Sequence, residues 1–241
     1  MKNRFLTFLM IAALIFSLVS CGSPDPGTEP DMDVSVYDSV LDKICRSLAD
    51  GTAGDSEDEG LFAIYEGTRA LNDGDVLSAI GYRIEDINGD NVPELMIGLV
   101  NTLDDGKASG SQVLVLYTVQ DGEPVCVAES FYRSMYQWAG DGSFYYCGSG
   151  GAAYHAFGMF SLPKGGTEMH GDEFYFTDVS DESFSEIVYY HNNTGVWDSA
   201  EAEELDLSED EFWQLERQFS DKICTFEMTQ LSSYNPQKIT R

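Results

Sequence analysis

Between Asp86 and Glu94 the chain reads Asp-Ile-Asn-Gly-Asp-Asn-Val-Pro-Glu, with oxygen-bearing side chains at the first, third, fifth and ninth places. Calcium takes six to eight oxygen ligands at about 2.3–2.6 Å, drawn from carboxylates, amides and backbone carbonyls around a tight turn. Asp86, Asn88, Asp90 and Glu94 offer such side chains, and Val92 offers its carbonyl. Gly89 and Asn91 both tolerate the positive φ that a tight turn requires. The expected chemistry is structural, a calcium ion clamping a turn. Without metal, the same residues make a turn closed by Asn and Asp side chains on their own backbone.

The flanks say which elements hold this turn. Tyr82 and Ile84 alternate with polar residues before it, and Leu95 to Val100 follow as an apolar run, so a strand is expected on each side. An EF-hand is excluded, because its twelfth place requires a bidentate glutamate and Ile97 stands there, with Pro93 obstructing the second helix.

Over roughly Gly81 to Val100 the segment resembles the DxDxDGxxD calcium loops of integrin-type β-propeller blades. It resembles more closely the Asp-Ile-Asp-Gly-Asp-Gly-x-Pro-Glu-Leu hairpins of bacterial surface lipoproteins. The resemblance implies two strands joined by a metal-clamped turn. Asn88 stands where those loops carry an acid and Asn91 where they carry glycine, which lowers the affinity expected here. Gly148-Ser149-Gly150-Gly151 is similar to glycine-serine runs downstream of such hairpins, implying one continuous domain across Tyr82 to Leu162.

The N-terminus points to the same setting. Lys2 and Arg4 precede an apolar run from Phe5 to Leu18, about fourteen residues and short of the roughly twenty that span a bilayer. Leu18-Val19-Ser20-Cys21 resembles the bacterial lipobox, which implies cleavage before Cys21, lipidation of that cysteine and acylation of its amino group with chains such as palmitate. Several acyl chains anchor where one holds only weakly. Residues 1–20 are thus expected to be a signal peptide. Cys21 and the stretch Gly22 to Asp33, with its three prolines, form a tether, and 34–241 form a single globular domain. The expected location is the bacterial cell membrane, facing the extracytoplasmic side.

Removing residues 1–20, which hold two basic and no acidic residues, takes the formal charge from −29 to −31. Such a charge opposes nucleic acid and close contact with anionic lipid headgroups. Cys45, Cys126, Cys147 and Cys224 remain in the domain, as disulfides or as buried free thiols. No CxxC spacing is present and His155, His170 and His191 stand far from any cysteine pair, which argues against a structural zinc site.

Val36, Val40, Leu41, Ile44 and Leu48 predict an amphipathic helix over 35–49, followed by an acidic loop from Gly51 to Gly60. Strands are expected at Tyr82–Asp86, Glu94–Val100, Gln112–Val119, Val125–Tyr132, Ser143–Cys147, Tyr154–Leu162, Glu173–Thr177, Glu186–Tyr190 and Thr225–Leu231. Ser208 with Glu211 reads as a capping box, and Phe212, Leu215, Phe219 and Ile223 mark one face of the helix it opens. The expected fold is α+β: an N-terminal helix, a mainly antiparallel curved sheet of about 7–9 strands, and a C-terminal helix packed on the sheet.

Other signals are weaker. The glycine-framed Ser149 lacks the preceding aspartate of chymotrypsin-like proteases, and every histidine follows it, so it reads as a glycine-rich bend. Strand alternation points Phe144 and Tyr146 one way and Tyr145 the other, one set filling the core. Tyr136 and Trp138 are the candidates for ligand stacking. The function expected is a lipid-anchored, noncatalytic cell-surface protein whose calcium-stiffened hairpin supports a binding or scaffold surface for a glycan or protein. The alternatives are a carbohydrate-binding surface module using exposed aromatics, and a surface hydrolase with acidic catalysts among the 42 carboxylates.

Overall fold

A computed structural model describes residues 34–55, 58–69, 71, 75–104, 107–180 and 186–235. The signal segment, the Cys21 lipidation site and the tether lie outside these residues. Among the described residues no helix is long and apolar enough to cross a membrane.

A turn of 3-10 helix at Val34–Tyr37 leads into α1 (Asp38–Ala49), which buries Leu41 and Ile44. The next helix, α2 (Glu59–Thr68), starts inside the stretch expected to be an acidic loop, where Asp58 caps it by accepting the Leu61 amide at 3.2 Å. Its apolar residues Leu61 to Tyr65 run consecutively, leaving no one-sided stripe for periodicity to detect. Two glycines bring α2 onto the sheet: a Cβ at Gly60 would lie 1.8 Å from the Tyr117 hydroxyl, and one at Gly67 2.5 Å from Leu114. A short α3 (Val76–Ala79) follows, capped by Asp75.

The strands are β1 (Ile80–Glu85), β2 (Glu94–Leu99), β3 (Thr102–Asp104), β4 (Lys107–Gly110), β5 (Gln112–Gln120), β6 (Glu123–Glu129) and β7 (Ser134–Gly140). After them come β8 (Ser143–Gly151), β9 (Tyr154–Ser161), β10 (His170–Val179), β11 (Ile187–Asn192), β12 (Glu203–Leu205), α4 (Glu209–Ser220) and β13 (Phe226–Gln230). The α+β class and the antiparallel sheet match expectation, but among the described residues thirteen strands replace the expected 7–9 and four α-helices the expected two. The unexpected β3 and β12 are three-residue pieces too short for a pattern. Nothing in the sequence marks β7, because Ser130-Phe131-Tyr132-Arg133, which separates it from β6, carries no Gly, Asn or Pro turn signal. Gly148 to Gly151 extend β8 rather than bending the chain away from it.

Strand order is β12-β11-β10-β9-β8-β7-β5-β2-β1-β13-β4-β3, with β6 also on β5. One edge of β5 meets β2; the other is shared, β7 opposite Gln112 and Val113 and β6 opposite Val115 to Gln120. Ser130 holds this fork, donating to the Val113 carbonyl at 2.5 Å and accepting the Tyr136 amide at 2.9 Å. Between β2 and β5 the pairing steps from Ile97↔Val115 to Gly98↔Val113, leaving Leu114 as the extra residue of a bulge. Leu114 and Val115 consequently both join the core beneath α1 and α2, while Val113 and Leu116 join Trp138 and Phe144 in another.

Both faces of the meander β8 to β10 are covered. Tyr145, Phe157 and Met159 pack against Phe212 and Phe219 of α4, while Phe160, Phe174 and Phe176 pack with Tyr146 and Trp197. Tyr145 and Phe144 are therefore both core residues, on opposite sides, where alternation alone led us to expect one buried set. The sheet also curls: the Cys224 amide, just before β13, bonds the Trp138 carbonyl of β7 at 3.0 Å although β5, β2 and β1 lie between those strands in the order. Among the described residues, Cys45, Cys126, Cys147 and Cys224 form no disulfide.

Candidate functional site

The turn between β1 and β2 holds the five residues expected to be metal ligands. Asp86 accepts the amides of Gly89 at 2.7 Å, Asp90 at 3.2 Å and Asn91 at 2.9 Å, and Asn88 accepts Asp90 at 3.0 Å. Asp90 accepts Val92 and, from the β9–β10 connection, Gly165, both at 2.7 Å. Gly89 and Asn91 take φ values of +74° and +70°, as their residue types permit. Lys164 donates to the Gly89 carbonyl at 2.7 Å, setting an ammonium against the turn. Desolvation would raise Asp86, but the surrounding amides outweigh it and hold its carboxyl below the usual range.

Glu94 differs from the other ligand candidates in being fully buried, accepting the Ile87 amide and the Thr118 hydroxyl, each at 3.0 Å. Burial pushes its pKa up to about 7; the two hydrogen bonds oppose this, and the negative charges of Asp90 and Asp86 add to it. The donor set is all oxygen, the chemistry calcium takes. As folded, its carboxylates are turned onto N–H and O–H donors. Among the described residues, the one group of three His, Cys, Asp or Glu side chains whose ligand atoms lie mutually within 4.8 Å is Cys147, His155 and Glu216, at a different place.

The two stacking candidates have different surroundings. Trp138 is 8% exposed, with its ring 5.3 Å from Phe144 and 6.2 Å from Phe226, and belongs to a core. Tyr136 lines a cleft of about 370 Å³ together with Tyr146, Phe160, Phe174 and Trp197. The Tyr136 ring lies 5.1 Å from Tyr146 and edge-on to Phe160 at 5.7 Å, and Ser134 donates to the Tyr146 hydroxyl at 3.2 Å. Residues Cys126 to Glu129 of β6 also line the cleft, and β6 pairs with no strand but β5 among the described residues.

Sequence reasoning missed the third place. Cys147 and His155 lie on adjacent strands, in the pairs Cys147↔Phe157 and Ser149↔His155, so both project from the face that carries Tyr145. Eight residues apart in sequence, the two meet across a hairpin, so His155 stands beside a single cysteine rather than a cysteine pair. Glu216 reaches the same point from α4, four residues after Phe212 and three before Phe219 on the buried stripe. Its Oε1 lies 2.9 Å from His155 Nε2, accepts the Tyr145 hydroxyl at 3.0 Å, and is 3.8 Å from Cys147 Sγ. Burial would raise Glu216, but His155, Tyr145 and Cys147 outweigh it and hold the carboxyl low; burial and the Glu216 charge push the Cys147 thiol up. The sequence signal was an acid inside an otherwise apolar helix face.

The chain matches no protein-family model, no curated protein and no solved structure.

Proposed function

We propose that this chain is a noncatalytic binding protein on the extracytoplasmic side of a bacterial membrane, tethered through a lipidated Cys21, with its ligand seat in the cleft at Tyr136. The cleft carries this reading: six aromatic side chains line it, of which Phe160 and Phe174 are buried and Phe131, Tyr136, Tyr146 and Trp197 keep exposed surface, beside a strand whose second edge pairs with no other strand among the described residues. Aromatic rings offer flat apolar faces, and an edge strand offers main-chain N–H and C=O groups. That pairing suits a carbohydrate, whose ring faces stack while its hydroxyls hydrogen-bond. About 370 Å³ falls at the small end of ligand pockets and suits one or two sugar rings. The lining holds a single carboxylate, Glu129, whereas glycoside hydrolysis ordinarily uses two. The charge of the chain favours neutral or cationic glycans over anionic ones.

Screening on a glycan array followed by titration of tryptophan fluorescence tests this. The expected result is a hit whose affinity falls at least about tenfold in Trp197→Ala, a loss of about 1.4 kcal/mol or more. A blank array together with silent fluorescence would remove the reading.

We also propose calcium as a structural ion of the β1–β2 turn, held by Asp86, Asn88, Asp90, the Val92 carbonyl and Glu94. What supports it is the set of oxygen donors gathered at one turn, with Glu94, whose carboxyl burial pushes up and the nearby charges of Asp90 and Asp86 raise further, a repulsion that a divalent cation would offset. Glu94 would exchange its Thr118 contact for the ion. Calorimetric titration decides: equal heats for the wild type and Asp90→Ala would sink it.

A further inference from the structure

We propose that Cys147, His155 and Glu216 form a binding site for a borderline divalent transition-metal ion, with zinc the ion whose ligand preferences they match. The three residues are separate from the aromatic cleft and from the β1–β2 turn, so the site stands or falls independently of the function proposed above. Sulfur, imidazole nitrogen and carboxylate oxygen are the donors of three-ligand zinc sites, which leave a fourth position for water or another group. Calcium and magnesium would not choose this set, because a thiolate and an imidazole are poor partners for hard cations.

The geometry is close to what the ion needs. Zinc bonds of about 2.0–2.3 Å at tetrahedral angles set ligand atoms about 3.3–3.8 Å apart. Glu216 Oε1 is 2.9 Å from His155 Nε2 and 3.8 Å from Cys147 Sγ, and the three ligand atoms lie mutually within 4.8 Å. Shifts of about 1 Å or less therefore admit the ion, within the reach of side-chain rotation. The site is built on rigid elements, with β8 and β9 supplying two ligands and α4 the third. Tyr145, donating to Glu216 at 3.0 Å, is the outer partner that orients a ligating carboxylate. Side-chain exposure of 21% at His155 and 17% at Glu216 leaves a way in, and His155 borders a cleft of about 510 Å³.

Hydrogen bonding alone accounts for His155 and Tyr145 on Glu216. It accounts poorly for Cys147, whose thiol at 3.8 Å makes a weak donor held against a carboxylate. With zinc bound, the thiol proton passes to solvent and sulfur binds as thiolate; the imidazole binds through one nitrogen and keeps its proton on the other. The ion then ties α4 to the β8–β9 hairpin.

The test uses the full-length chain in detergent, reduced and stripped of metal, titrated with cobalt(II) and then zinc. Cobalt should give a thiolate charge-transfer band in the near ultraviolet at one equivalent, and zinc should abolish it. Cys147→Ser should remove the band, and His155→Ala and Glu216→Gln should each weaken binding at least about tenfold. Cys224→Ser should leave it intact. Zinc at a hundredfold excess over its Kd should raise the melting temperature by about 5–10 °C in the wild type and not in Cys147→Ser, each variant first being shown folded by circular dichroism. Absence of the band, its persistence in Cys147→Ser, or equal zinc stabilisation of both proteins overturns the proposal. So does a cobalt signal that Asp90→Ala removes and Cys147→Ser spares.

Discussion

The Asp90 carboxylate accepts the Gly165 amide at 2.7 Å, joining the β1–β2 turn to the β9–β10 connection across 75 positions of sequence. Lys164, next to Gly165 in the same connection, adds a second bond to the turn by donating to the Gly89 carbonyl. Two turns on distant parts of the chain thus hold each other in shape.

Gly165 sits at φ +67° with nothing within 4 Å of an added Cβ. Gly165→Ala meets no steric clash and suffers only the backbone penalty, about 1–2 kcal/mol. Gly165→Asn should cost clearly less, since asparagine tolerates this conformation. Urea unfolding of the three proteins measures it, and equal midpoints for Ala and Asn would show that φ is not the cause.

Glu94 carries the clearest pH dependence. Its folded pKa of about 7 stands above its ordinary 4.5, so the folded state binds the proton more tightly than the unfolded one. The stabilisation is complete below about 4.5 and is lost as pH rises through 7, a swing of about 3 kcal/mol. In calcium-free buffer the melting temperature should fall between pH 5 and 7.5 more steeply for the wild type than for Glu94→Gln. Calcium at pH 7.5 should restore stability to the wild type alone.

The capping box at α4 is complete: Ser208 accepts the Glu211 amide at 3.4 Å, and Glu211 accepts the Ser208 amide at 2.9 Å. Ser208→Ala should cost about 1 kcal/mol, and Glu211→Ala added to it should cost less than it does alone. Thermal unfolding of the four proteins of the cycle checks both the cost and the coupling.

Phe157 is fully buried, with Phe212 at 5.1 Å, Tyr175 at 5.4 Å and Phe219 at 5.8 Å between ring centroids. Phe157→Ala should cost about 3–5 kcal/mol and loosen α4 from the sheet. Hydrogen exchange should then rise in Glu209–Ser220 before it rises in Asp38–Ala49. Uniform acceleration in both helices would mean that α4 has no separate dependence on this contact.

What the sequence by itself determined lies within a few residues of where it was read. The α1 stripe, the Ser208–Glu211 cap, the strand–turn–strand around Asp86 to Glu94 and the opposite facing of Tyr145 and Phe144 all follow from periods of two or 3.6 residues and from side chains bonding neighbouring amides. Where such periodicity fails, so does the reading: α2 is apolar nearly all round, and β7 begins without a turn signal. Tertiary structure alone decided that Trp138 is enclosed while Tyr136 borders a cleft, because the curl of the sheet brings Phe226 against one and β6 beside the other. It also decided that Glu216 meets His155 and Tyr145, 61 and 71 positions away. That meeting depends on how α4 docks across the β8–β9 register, a sum of many weak apolar contacts that no local pattern encodes.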